Sequence, residues 1–164
     1  MMWLGVAIMA FVTAQRLAEL GLARVNTERL LAMGAKEYAP GHYPLIVAVH
    51  TGWLAALWWL APGRDVQWLW LILFGLLQIG RVWVIQTLGP RWTTRIIVLP
   101  DAPLVTGGPF RLVRHPNYLV VAGEIAALPL AFGLWQVALI FSILNALVLA
   151  VRIRAENAAL GSQA

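Results

Sequence analysis

Residues 118–151 read YLVVAGEIAALPLAFGLWQVALIFSILNALVLAV. A helix that crosses a bilayer needs ~20 mostly apolar residues, at ~1.5 Å of rise each, to span ~30 Å of hydrocarbon. This run is too long for one such helix and slightly short for two. It is interrupted near Gly133–Gln136, so it reads as a tight helical hairpin of two short spans. Three more apolar stretches precede it. They run from Met2 to about Leu22, with Arg16 and Glu19 near the end, from about Pro44 to Leu60, and from about Gln67 to Leu88. The sum is an all-α integral membrane bundle of about five transmembrane helices.

Composition supports a membrane protein. Of 164 residues, 61% are hydrophobic and only 12% charged, against roughly 45–50% and about 25% in soluble domains. The mean hydropathy is +0.77. Too few charges remain to keep a soluble surface wet, which excludes a soluble enzyme, a disordered chain and a secreted disulfide scaffold. The absence of cysteine excludes disulfides, thiolate chemistry and cysteine metal sites. The start, MMWLGVAIMAFVTAQRL, lacks a basic leader and a small-residue cleavage site, so it reads as a membrane helix and not a signal peptide. Residues 1–164 read as one membrane domain without repeats.

The net charge of +5 comes from eleven Arg and one Lys against seven acids. In this composition it speaks of membrane orientation and not of nucleic acid. Arg24, Arg29 and Lys36 follow the first helix; Arg91, Arg95, Arg111 and Arg114 follow the third; Arg152 and Arg154 lie at the C-terminus. The connection between the second and third helices, 61–66, holds only Arg64, and the turn between the fourth and fifth holds no basic residue. Five helices put the basic segments on one side, which the positive-inside rule makes cytoplasmic. The N-terminus is then outside and the C-terminus inside, in what reads as a bacterial cytoplasmic membrane. Trp53, Trp68, Trp70, Trp92 and Trp135, near helix ends, are expected to anchor at the interfaces.

No G-x-G-x-x-G or P-loop follows a strand pattern. Chemistry must therefore use the segment 89–117 and the helices beside it. Residues 89–120 read GPRWTTRIIVLPDAPLVTGGPFRLVRHPNYLV. A connection of ~30 residues is long for a compact domain, and its apolar groups at 96–99, 104–105 and 110 predict an ordered cytoplasmic cap before helix four. In Arg114-His115-Pro116-Asn117-Tyr118, proline suits a first helical turn and biases His115 to an extended conformation. His115 then sits at a helix N-terminus, a seat for a carboxylate or phosphate, or simply a helix start at the membrane surface.

Arg152 and Glu156 are one turn apart on the last helix, with Asn145 and Ser142 extending a polar stripe that should face the bundle interior or a wet cavity. A salt bridge at the helix end is the plainer reading. Glu124, mid-helix, must be protonated or paired, with Arg81 as one candidate partner; Gln78, Arg16 and Glu19 are further buried polar candidates. His42 and His50 flank the start of helix two without an acid cluster, so no metal site is expected.

LVTGGPFRLVRHPNY at 104–118, followed by a membrane hairpin and RIRAENAAL at 152–160, resembles the isoprenylcysteine carboxyl methyltransferase family. The likeness is strongest over residues 87–160. EYAPGHYP at 37–44, GEIAALPLAFGLW at 123–135 and NALVLAVRIRAEN at 145–157 resemble its short bacterial members, some of which are linked to alkylpyrone methylation.

The resemblance implies an integral membrane enzyme that transfers a methyl group from S-adenosylmethionine (SAM) to a lipophilic acceptor. By motif match, Leu104, Val105, Phe110, His115, Pro116, Asn117, Tyr118 and Glu156 line the cofactor pocket. Arg152 matches an arginine assigned to the acceptor and is the expected catalytic residue, with Asn145 as a further substrate contact. Three positions depart from the family pattern: Phe110 replaces a tyrosine, Asn157 a second glutamate, and Ala102 a histidine of the eukaryotic enzyme. The acceptor oxygen is expected to be a carboxylate or an acidic enol or phenol. Prenylated-protein carboxylates, fatty acids, alkylpyrones and alkylresorcinols all match that chemistry. A membrane reductase using NADPH and a non-enzymatic lipid-binding protein remain as alternatives.

Overall fold

The computed structural model describes residues 2–161. Five α-helices dominate: α1 (Met2–Ala32), α2 (Tyr43–Leu60), α3 (Trp68–Leu88), α4 (Pro116–Ala131) and α5 (Trp135–Gly161). Four stretches, Trp3–Ala32, Pro40–Leu60, Trp68–Arg91 and Trp135–Gly161, are long and apolar enough to cross a membrane, while Pro116–Ala131 is a shorter apolar helix. On α3 the residues turned away from the bundle are themselves apolar: Leu69, Ile72, Leu76 and Ile79 are all exposed. Their spacing marks one outward helix face, which only lipid can cover in an isolated chain.

Helix α4 packs between α3 and α5 and supplies much of the core. Ile125, Leu128 and Phe132 meet Met9 and Val12 of α1, Trp53 and Leu57 of α2 and Phe74 of α3. The turn after α4 has a clear cause. Gly133, at φ 68°, adopts a left-handed conformation, and the Gly133 and Leu134 amides return to the Leu130 and Pro129 carbonyls at 2.9 Å each. This is the glycine-terminated helix end that an abrupt reversal uses. Pro129 also removes the amide that would have bonded the Ile125 carbonyl one turn back. The indole N–H of Trp53 donates to that carbonyl at 3.2 Å.

Trp53 and Trp92 therefore do not anchor at an interface as the sequence led us to expect. Both are buried, at 2% and 3% exposure, because each fills a gap between helices. Trp68 and Trp135 are exposed. A second correction concerns α1. The helix runs on through Arg24 and Arg29 to Ala32, since no proline intervenes and residues 22–32 are mostly good helix formers. Its extension has a purpose: the Asn26 amide donates to the Trp92 carbonyl at 2.8 Å and the Gly89 carbonyl at 3.3 Å, holding the segment 89–115 in place.

That segment is folded. It contains 3-10 turns at Gly89–Arg91 and Gly108–Arg111 and a strand, β2 (Ile96–Val98), paired antiparallel with β1 (Lys36–Tyr38) in the register Lys36↔Val98, Glu37↔Ile97, Tyr38↔Ile96. The ribbon was not anticipated from the sequence. Ile96 and Val98 pack on Ala159, with Ala155 and Leu160 beside them, so the ribbon rests on the end of α5. Gly108 sits where a Cβ would fall 2.5 Å from the Thr87 hydroxyl oxygen, at φ 54°, which lets the cap lie directly on α3.

Candidate functional site

Two cavities meet beneath this cap. One, of about 400 Å³, lies under residues 91–106 and against the ends of α4 and α5. The other, of about 380 Å³, descends between α1, α2, α4 and α5 and is mainly apolar. Trp92, Thr93, Asn117, Tyr118 and Arg152 line both. We call them the cap-side and bundle-side cavities, and the shared wall the junction.

All eight residues that the sequence assigned to the cofactor pocket, Leu104, Val105, Phe110, His115, Pro116, Asn117, Tyr118 and Glu156, line the cap-side cavity. Local chemistry places them. His115 is the residue before α4, and the Tyr118 amide bonds its carbonyl at 3.1 Å, so the first turn of α4 faces the cavity with proline at its start. The His115 and Tyr118 rings stack with centroids 5.2 Å apart. Asn117 Oδ1 is buried without a hydrogen-bond partner among the described residues, an acceptor in want of a donor.

Arg152 and Glu156 share a face of α5 as expected, but no direct salt bridge joins them. The Tyr118 hydroxyl stands between: it donates to the Glu156 carboxylate and accepts from Arg152 Nε at 2.9 Å. Arg152 NH1 donates to the Thr94 carbonyl at 2.7 Å. Two of the five guanidinium N–H groups are thus spent on fixing the side chain, and the rest remain for a ligand. The fixed guanidinium lies between the two cavities. Asn145, by contrast, is buried on α5 and lines neither cavity. The substrate contact expected of it has no support in this geometry.

Glu124 is paired, as its depth requires. It accepts from Arg81 Nε at 2.8 Å and also from Arg81 NH2, from Arg16 NH2 at 2.9 Å and from Gln78 at 2.7 Å. Glu19 accepts from Arg16 at 2.8 Å, Arg81 at 3.1 Å and Gln15 at 3.0 Å. The cluster ties α1, α3 and α4 together beneath the junction. Sequence reading missed Trp92, Thr93 and Thr94 as site residues. They sit in an irregular stretch held by long-range bonds to Asn26, Tyr43 and Arg152, and no local pattern marks them.

A profile of the isoprenylcysteine carboxyl methyltransferase (ICMT) family matches residues 70–162. Among curated proteins, the uncharacterized protein YpbQ of Bacillus subtilis is 39% identical, over 98% of this chain and 96% of its own. An uncharacterized protein of Haemophilus influenzae is 27% identical, over 92% and 91% respectively. No solved structure matches. The family match takes in the cap, α4, α5 and every junction residue, and on it the chain belongs to the isoprenylcysteine carboxyl methyltransferase family of membrane methyltransferases.

Proposed function

We propose that the chain transfers a methyl group from SAM to an oxygen of a lipophilic acceptor. The cofactor occupies the cap-side cavity, the acceptor the bundle-side cavity, and they meet at the junction. The single observation that carries this reading is that the two cavities share one wall, and that Arg152 stands in it.

The residues present fit SAM. Glu156 uses one carboxylate oxygen on Tyr118, and its other oxygen suits an ammonium. The unpartnered Asn117 oxygen suits a second donor. The start of α4, with free amides behind Pro116, suits a carboxylate. SAM, when bound, supplies an electrophilic methyl on a sulfonium. Tyr118 holds Glu156 and Arg152 in register, one toward each cavity. Arg152 offers its remaining N–H groups to the acceptor oxygen. A carboxylate or acidic enol is anionic near neutral pH, so no strong base is needed. Rate comes from orientation, water exclusion and fixed charge.

The distribution of charge supports the orientation given by the sequence. α1, α3 and α5 end, and α2 and α4 begin, on the cap side. We place the cap and C-terminus in the cytoplasm, the N-terminus outside, and α4–α5 as a hairpin in the bilayer.

Calorimetry on the purified chain tests the cofactor assignment. SAM is expected to bind and NADPH not. His115→Ala and Glu156→Ala should each weaken SAM by about ten- to hundredfold, the loss of a charge-assisted hydrogen bond of ~1.5–3 kcal/mol. Unchanged affinity in both variants, or preference for NADPH, removes the assignment.

A further inference from the structure

The bundle-side cavity is mainly apolar, yet its wall includes Arg16, Glu19, His50 and Arg81. These residues lie deeper than the junction. His50 is seven residues into α2 from Tyr43, and the Tyr43 hydroxyl is 3.2 Å from the Thr94 hydroxyl at the cap. Two helical turns put His50 ~10 Å below that level. Polar side chains at such depth face cavities or one another. The arginines and glutamates satisfy the second condition through the cluster described above. His50 takes no part in it.

Its single hydrogen bond among the described residues is local: Nδ1–H donates to the Ile46 carbonyl at 2.9 Å. That bond fixes the tautomer, and Nε2 of the neutral ring is left as an acceptor with no partner among the described residues. The surrounding charges cancel, two guanidinium groups against Glu19 and Glu124, so nothing here calls for an ion. An open acceptor in a wall without net charge matches a hydroxyl group, which donates a hydrogen bond without bringing a charge.

We infer that His50 is a second binding contact for the acceptor, receiving a hydroxyl about 10 Å from the oxygen that is methylated. The inference rests on the reading above in taking the bundle-side cavity as the acceptor chamber. It assigns to the acceptor class a feature that Arg152 alone does not: a lipophilic molecule with two oxygen functions, one at each end of this cavity. It also gives a role to α2, which lies outside the residues matched by the family profile.

The test uses the chain in lipid nanodiscs without SAM. Octadecanoic acid, its 10-hydroxy derivative and its 2-hydroxy derivative are titrated while tryptophan fluorescence is followed, since Trp53 and Trp92 line the cavity. The carboxylate reaches Arg152, and only the 10-hydroxyl reaches His50. The 10-hydroxy acid should bind about three- to tenfold tighter than the other two, the worth of one net hydrogen bond. The advantage should vanish in His50→Leu, on which the three acids should bind alike. On wild-type chain labelled with ¹⁵N-histidine, the His50 Nε2 resonance should move with the 10-hydroxy acid only. Equal affinities, an advantage that survives His50→Leu, a still resonance, or no binding of any acid would each overturn the inference. Should His50→Leu fail to fold, the wild-type titration and resonance decide. Absence of SAM binding would sink the methyltransferase reading and leave these results standing.

Discussion

Replacing Tyr118 with Phe removes one oxygen atom from the centre of the site and leaves the ring that stacks on His115. That oxygen makes two bonds, to the Glu156 carboxylate and from Arg152 Nε, and the residue is 8% exposed. Each bond involves a charged group and costs ~1.5–3 kcal/mol if left unmade. The two losses do not add. Arg152 keeps the Thr94 carbonyl, and it lies one turn from Glu156, so the freed charges can approach each other and recover about one bond. The net penalty is then ~1.5–3 kcal/mol, or about ten- to hundredfold. It should appear in SAM affinity, because Glu156 swings toward Arg152 and away from the cap-side cavity, and again in turnover, because Arg152 loses its fixed aim. Calorimetry with SAM and single-turnover methyl transfer on Tyr118→Phe read the two effects separately, and thermal unfolding checks that the bundle survives. Wild-type affinity together with wild-type turnover would refute the bridging role of this hydroxyl.

Three further outcomes are expected. Glu124 is 2% exposed, and Glu124→Ala, which leaves Arg16 and Arg81 to share Glu19, should destabilise the bundle by ~3–5 kcal/mol, read as a lower unfolding midpoint; a midpoint unchanged from wild type would contradict this reading of the cluster. Arg152→Ala should keep SAM affinity and lose most transfer, and Arg152→Lys should recover little, since an ammonium does not reproduce a planar two-pronged contact; both quantities are measured on the same purified variants. Reporter fusions at the two termini should give opposite signals, and identical signals would rule out five spans.

The helix count was legible because membrane burial leaves a coarse record. Length and hydropathy located α2 and α3 to within a residue or so, and Gly133 marked the reversal between α4 and α5. The residues that line the cap-side cavity were largely legible because 104–118 is a compact motif whose members are near in sequence as well as in space. What escaped reading is what long-range packing decides. The helical continuation to Ala32 lay beyond the apolar run that defined the span. The β1–β2 ribbon joins two three-residue strands that carry no pattern of their own. Trp53 and Trp92 looked like interfacial tryptophans, and only the fold reveals the bond from Trp53 to the carbonyl freed by Pro129, or the docking of Trp92 under Asn26. Asn145 had the right spacing for a role at the site and lies on the right helix, but the cavity ends before reaching it.

The central claim is that a methyl group passes from SAM to a lipid-soluble oxygen at the junction. The most direct measurement incubates the purified chain with SAM carrying an isotopically labelled methyl group and a lipid extract, then identifies labelled lipids by mass spectrometry. The account requires a labelled methyl ester or ether on a lipophilic molecule, formed by wild type and nearly absent with Arg152→Ala. A chain that binds SAM but labels nitrogen or carbon, or that neither binds SAM nor labels any lipid, would contradict it.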